Sequence, residues 1–159
     1  DFNGDGYTDV AAMTSWGDWW VGLSNGSRFN TTFWTNWNPA ARWVDIRAAD
    51  FNGDGKTDIA GRTFWGDWYV GVSDGSKFTA SLWTSWDPAR GWNHVVAADL
   101  APDVAAEVGA DIAGRTSDGY WILGVSNGSK FTNRLLSFWS PALTWSAAGV
   151  GRVATVNFL

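Results

Sequence analysis

Hydrophobic and β-favouring residues fall in short runs along this chain, each about five to eight positions long, broken by turn residues. In the middle of the chain the runs are Trp43–Ala49, Asp58–Thr63, Trp68–Ser73 and Phe78–Thr84, rich in Val, Ile, Trp, Tyr, Phe and Thr. Between them stand Asn-Gly-Asp-Gly, Trp-Gly-Asp, Ser-Asp-Gly-Ser and Trp-Asp-Pro, all sequences that favour turns. No stretch carries a convincing helical period. Only residues 102–109 suit a short helical turn, because Ala, Val and Glu tolerate one. The pattern predicts an all-β chain.

The runs repeat. Asp1-Phe2-Asn3-Gly4-Asp5-Gly6 returns as Asp50-Phe51-Asn52-Gly53-Asp54-Gly55, 49 residues later, and 28 residues are identical between 1–49 and 50–98. A third copy starts at Asp99, loses the Asn-Gly-Asp-Gly core, gains four residues and rejoins the pattern at Asp111-Ile112-Ala113-Gly114-Arg115-Thr116. Three tryptophan series then keep step: Trp19, Trp68 and Trp121; Trp37, Trp86 and Trp139; Trp43, Trp92 and Trp145. Four short strands in a repeat of this length are the mark of a β-propeller blade of four antiparallel strands. We therefore read residues 1–159 as one propeller-type domain with repeats 1–49, 50–98 and 99–159. Three blades do not close a ring, because propellers use about four to eight. The first unit also lacks a strand before Asp1, whereas residues 145–152 align with that strand. The expectation is a piece of a larger propeller, or a ring closed by a second chain.

Composition narrows the function. There is no cysteine, so neither a disulfide framework nor a thiolate site is available. The formal net charge of −5 argues against a nucleic-acid partner. No apolar run approaches the roughly 18 residues of a membrane helix.

The acidic residues are clustered. Asp1, Asn3, Asp5 and Asp9 place oxygen side chains at positions 1, 3, 5 and 9 of a tight loop, and the main-chain carbonyl of Tyr7 supplies another oxygen. Asp50, Asn52, Asp54, Asp58 and the carbonyl of Lys56 repeat the set. A hard cation such as Ca²⁺ takes about six to eight oxygens, and a Gly at position 6 allows the sharp turn. A plain turn needs one or two such residues, not three carboxylates twice over. Two Ca²⁺ sites are therefore expected, and two ions would bring the formal charge from −5 to −1. Asp99, Asp103 and Asp111 in the third unit have the wrong spacing, so that loop is expected to be empty.

Asp-x-Asn-Gly-Asp-Gly-x-x-Asp followed by Ile or Val and Ala, flanked by strands and repeated at this interval, resembles the FG-GAP/VCBS repeat of integrin-α-type propellers. The resemblance is strong in the first two units and weak in the third. It implies that each loop joins the first and second strands of a blade, that Ca²⁺ stiffens this hairpin, and that the setting is extracellular. The literal Phe-Gly/Gly-Ala-Pro signature is absent, so integrin-like ligand binding is not implied.

Other motifs invite enzymatic readings. Gly22–Gly26, Gly71–Gly75 and Gly124–Gly128 fit Gly-x-Ser-x-Gly, but three copies with no following helix and a single His94 suit a hairpin turn better than a nucleophile elbow. Asp18 and Asp67 recur at equivalent turns, which argues against a catalytic pair, and no catalytic residue is assigned. Trp16 and Trp65 precede Gly-Asp in turns and have no third counterpart; Trp34 and Trp83 also lack one, Leu136 standing at their place in the third unit. A turn tryptophan beside a carboxylate suits ligand contact, so Trp16, Asp18, Trp65 and Asp67 are candidate ligand-binding residues on the face opposite the calcium loops. The reading is a non-catalytic binding module for a glycan or protein ligand. The alternatives are a structural domain of a surface complex, or an accessory domain of an enzyme whose catalytic part lies elsewhere.

Overall fold

The computed structural model describes residues 1–101, 108–143 and 145. The first sheet contains β1 (Val10–Met13), β2 (Asp18–Ser24) and β3 (Phe29–Asn36) in that order. The second contains β4 (Val44–Ala49), β5 (Asp58–Arg62), β6 (Asp67–Ser73) and β7 (Phe78–Ser85); the third contains β8 (Asn93–Ala98), β9 (Asp111–Arg115), β10 (Tyr120–Ser126) and β11 (Phe131–Phe138). Every strand pair is antiparallel, as hairpin-length turns require. Single turns of 3₁₀ helix at Pro39–Ala41 and Pro88–Arg90 lead into β4 and β8, capped by Asn38 and Asp87, whose side chains accept from the amides of Ala40 and Ala89. The four runs expected between residues 43 and 84 match β4 to β7 to within a residue. Most of residues 102–109, and the strand expected over 145–152 apart from Trp145, fall outside the described residues, as does Asp103.

Consecutive sheets pack face to face through tryptophan. One core joins the first and second sheets through Phe2, Trp19, Val21, Trp34, Trp37, Ile59 and Phe78; another joins the second and third through Phe51, Trp68, Trp83, Trp86, Ile112 and Phe131. Trp37 lies on the backbone of the second sheet: a Cβ on Gly61 would come within 2.8 Å of its Cζ3. Gly114 meets Trp86 Cζ3 at 2.7 Å in the same way. Glycine is needed there for close approach rather than for an unusual backbone angle.

A bulge places the second tryptophan. In β3, Trp19 pairs with Thr35 and Trp20 with Phe33, which leaves Trp34 as the extra residue. Trp83 is the extra residue of β7 by the same shift. A bulge re-aims its side chain, and Trp34 turns onto Phe78 of the next sheet with ring centroids 4.7 Å apart, while Trp83 meets Phe131 at 4.9 Å. Trp34 and Trp83 are therefore core residues. Leu136 holds this place in β11, and with no further sheet against it among the described residues it stays exposed, as does Trp139.

Candidate functional site

Strand alternation puts two sets of connections at opposite ends of the sheets. The Asn-Gly-Asp-Gly loops precede β1 and β5 and share an end with the Ser-Asn/Asp-Gly-Ser turns; the Trp-Gly-Asp turns and the 3₁₀ segments share the other end. Tyr7 lies against Gly26, and the Lys56 stem lies against Gly4, so the two acidic loops are neighbours on one rim.

Both loops fold around their first residue. Asp1 Oδ1 accepts from the amides of Gly4 and Asp5 at 2.7 and 3.1 Å, and Oδ2 accepts from Gly6 at 2.8 Å. Asp50 makes the same three bonds to Gly53, Asp54 and Gly55 at 2.7, 3.2 and 2.8 Å. Asn3 and Asn52 accept from Asp5 and Asp54, and those aspartates accept from the amides of Tyr7 and Lys56. Asp9 closes the first loop: Oδ2 accepts from Phe2 at 2.7 Å and Oδ1 from Ser24 at 2.8 Å. Asp58 closes the second by accepting from Phe51 and Ser73 at 3.0 and 2.8 Å. Asn3 Nδ2 and Lys56 Nζ brace Asp5 and Asp54, each at 2.9 Å.

The electrostatics of these loops are unbalanced. Asp58 is fully buried, and that burial, reinforced by the nearby charges of Asp50 and Asp54, pushes its carboxyl up to about 6. Hydrogen bonds from Asn3 and Tyr7 hold Asp5 below the usual carboxylate range. Among the described residues the only ion pair in either loop is Lys56 with Asp54. Nor do three or more His, Cys, Asp or Glu side chains there gather into a metal-holding cluster. The donors still fit a hard cation in kind: all are oxygens, and those that accept a single N–H, such as Asp1 Oδ2 and Asp50 Oδ2, keep a second lone pair.

The third loop differs. Asp111 is fully buried and accepts from Ser126 and Leu100, as Asp9 and Asp58 accept from their counterparts. It keeps the closing residue, while the Asn-Gly-Asp-Gly sequence of the first two loops is absent before it.

At the opposite end, Trp16 and Trp65 are 76% and 66% exposed, against 3% and 0% for Trp19 and Trp68. Trp65 and Asp67 come together on a cleft of 470 Å³ between the first and second sheets. Trp16 and Asp18 do not line it. Asn36 does, and its Nδ2 donates to the Trp16 carbonyl at 3.1 Å and to Asp18 Oδ1 at 2.8 Å. Asp67 Oδ1 accepts from Ser85 Oγ at 2.5 Å. The importance of Trp37 and Ala80 to this cleft was not legible before the register between sheets was known.

Two of the three Gly-x-Ser-x-Gly serines join sheet to sheet. Ser73 Oγ donates to the Phe2 carbonyl at 2.6 Å, and Ser126 Oγ donates to the Phe51 carbonyl at 2.7 Å. Neither hydroxyl is offered to solvent, and both serines are buried. His94 sits half-buried in β8.

Residues 1–61 match the family model of the FG-GAP-like repeat, a stretch that contains both acidic loops and the whole first sheet. No curated protein and no solved structure matches the chain.

Proposed function

We propose that this chain is a calcium-stabilised, non-catalytic binding module built of propeller blades and used outside the cell. The observation that carries the calcium reading is the duplication of one loop. Two segments 49 residues apart present the same oxygens and fold them through the same hydrogen bonds, and Lys56 is the one side-chain cation paired with either set among the described residues. Asp1, Asn3, Asp5, Asp9 and the carbonyl of Tyr7 hold one ion; Asp50, Asn52, Asp54, Asp58 and the carbonyl of Lys56 hold the other. The ions supply charge neutralisation and tie each loop to the strand that follows it. FG-GAP-like repeats support this assignment and the extracellular setting.

The propeller reading rests on the repetition of one seam, in which Trp37 and Trp86 close on Gly61 and Gly114. On the third sheet, Leu135, Leu136, Phe138 and Trp139 are exposed, which suits a further sheet of the same kind, from the same protein or a second chain. The non-catalytic reading rests on Ser73 and Ser126, whose hydroxyls are spent on the carbonyls of Phe2 and Phe51. Ligand contact, with a glycan or a protein, falls to the aromatic end.

Thermal melting in calcium and in chelator tests the proposal. An ion that binds only the folded chain at a hundred times its Kd adds about 2.7 kcal/mol per site. The melting temperature therefore rises with calcium, and less so in Asp5→Ala and Asp54→Ala. Superimposable curves in calcium and chelator defeat the reading.

A further inference from the structure

We propose that the cleft between the first and second sheets binds a neutral pyranose ring, with the Trp37 indole N–H as a donor at its wall. The proposal rests on the binding-module reading and names the ligand class.

The two seams of this chain differ at one spot. In the second seam, Trp86 Nε1 donates to Asn133 Oδ1 at 2.9 Å, and Asn133 Nδ2 donates to Thr84 Oγ1 at 2.7 Å. In the first seam, Trp37 stands for Trp86 and Ala80 stands for Asn133. Trp37 is 3% exposed, its Nε1 is buried without a partner among the described residues, and both Trp37 and Ala80 line the cleft. Trp19, Trp68 and Trp121 also bury unpartnered Nε1 atoms, but they do so alike in all three sheets. Only at Trp37 has the chain kept the acceptor in one seam and removed it from the other. A buried donor without an acceptor is costly, so a ligand oxygen that approaches this position is favoured.

Three more differences point the same way. Arg90 fills the second seam through its 3.4 Å ion pair with Asp118, and its guanidinium lies 5.7 Å from the Tyr120 ring centroid. In the first seam these positions are Ala41, Trp65 and Asp67, all of which line the cleft. A salt bridge is thus replaced by open space, an exposed indole and a carboxylate.

The chemistry selects the ligand. Trp43, Trp65 and Tyr69 offer aromatic surface, which suits the C–H face of a sugar ring. Asn38 Oδ1 is taken by the Ala40 amide, so its Nδ2 is left to donate; Asp67 Oδ2 is left to accept. Among the described residues no Lys or Arg lines the cleft, which disfavours an anion. A quaternary ammonium suits aromatic walls but offers no acceptor to Trp37 Nε1 or Asn38 Nδ2. A hydroxyl-bearing ring both donates and accepts. The cleft volume of 470 Å³ lies within the range of about 300–1,000 Å³ typical of small-ligand sites.

The test is saturation-transfer NMR and fluorescence titration of the full chain with methyl glycosides of glucose, galactose, mannose and N-acetylglucosamine, with choline and sulfate as controls. At least one glycoside should saturate and quench tryptophan emission. Ala80→Asn restores the missing acceptor, with Thr35 at the place of Thr84 as its second partner. It should weaken glycoside binding by about tenfold or more while raising the melting temperature. Trp65→Ala, at an exposed position, should lose binding and keep the fold. No saturable glycoside, saturation by choline or sulfate instead, or unchanged binding in Ala80→Asn overturns the proposal. A chain that responds to calcium but binds no glycoside defeats this inference alone; glycoside binding without any calcium response defeats the calcium reading and leaves this one standing.

Discussion

Replacing the seam serines with alanine should have unequal effects at three positions that read identically in sequence. Ser73 is 2% exposed; its Oγ donates to the Phe2 carbonyl at 2.6 Å and accepts from the Gly75 amide at 3.0 Å. Ser126 repeats this with Phe51 and Gly128 at 2.7 and 3.0 Å. Ser24, in the first sheet, is half-buried, and among the described residues its Oγ only accepts from Gly26 at 3.1 Å. Ser73→Ala leaves the carbonyl of buried Phe2 without its hydroxyl donor, which costs about 1–3 kcal/mol. At about 2–4 °C per kcal/mol for a chain of this size, a 2 kcal/mol loss lowers Tm by about 4–8 °C. Ser126→Ala should match it. Ser24→Ala should stay within about 0.5 kcal/mol of the parent. Calorimetric melts of the three variants in calcium decide the matter. Equal shifts at all three positions, or no shift at Ser73, would refute the claim that these hydroxyls join sheet to sheet.

Two further outcomes follow from packing and charge. Gly61→Ala places a Cβ within 2.8 Å of both Trp37 Cζ3 and Ile46 Cδ1. It should destabilise the chain by about 1–3 kcal/mol, and a melt that does not move contradicts the tight seam. Burial pushes the Asp111 carboxyl above its ordinary value of 3.8, against the pull of amides from Ser126, Leu100 and Ala101. A carboxyl raised in the fold holds its proton more firmly folded than unfolded, so its contribution to stability falls as pH rises through that window. The melting temperature of Asp111→Asn minus that of the parent should therefore increase as pH rises past the ordinary carboxylate value of 3.8, and a constant difference would count against the burial argument.

The strands were legible because Gly, Asn, Asp and Pro punctuate them and because the repeat sets the same punctuation twice. The acidic loops were legible for the same reason. The tryptophans were only partly so. Trp16 and Trp65 sit in turns and are exposed as the pattern implied, whereas Trp34 and Trp83 lie in strands whose alternation is broken by a bulge that only cross-strand pairing reveals. The cleft was hidden for a related reason. Ala80 gains meaning only once Asn133 is seen bonded to Trp86, and that comparison needs the register between sheets.

The central claim is that two loops each hold one calcium ion, and a calorimetric titration of the chelated chain counts them directly. The account predicts two ions per chain, one in Asp5→Ala, one in Asp54→Ala and none in the double variant. No heat in the parent chain, or two ions retained by the double variant, would contradict it.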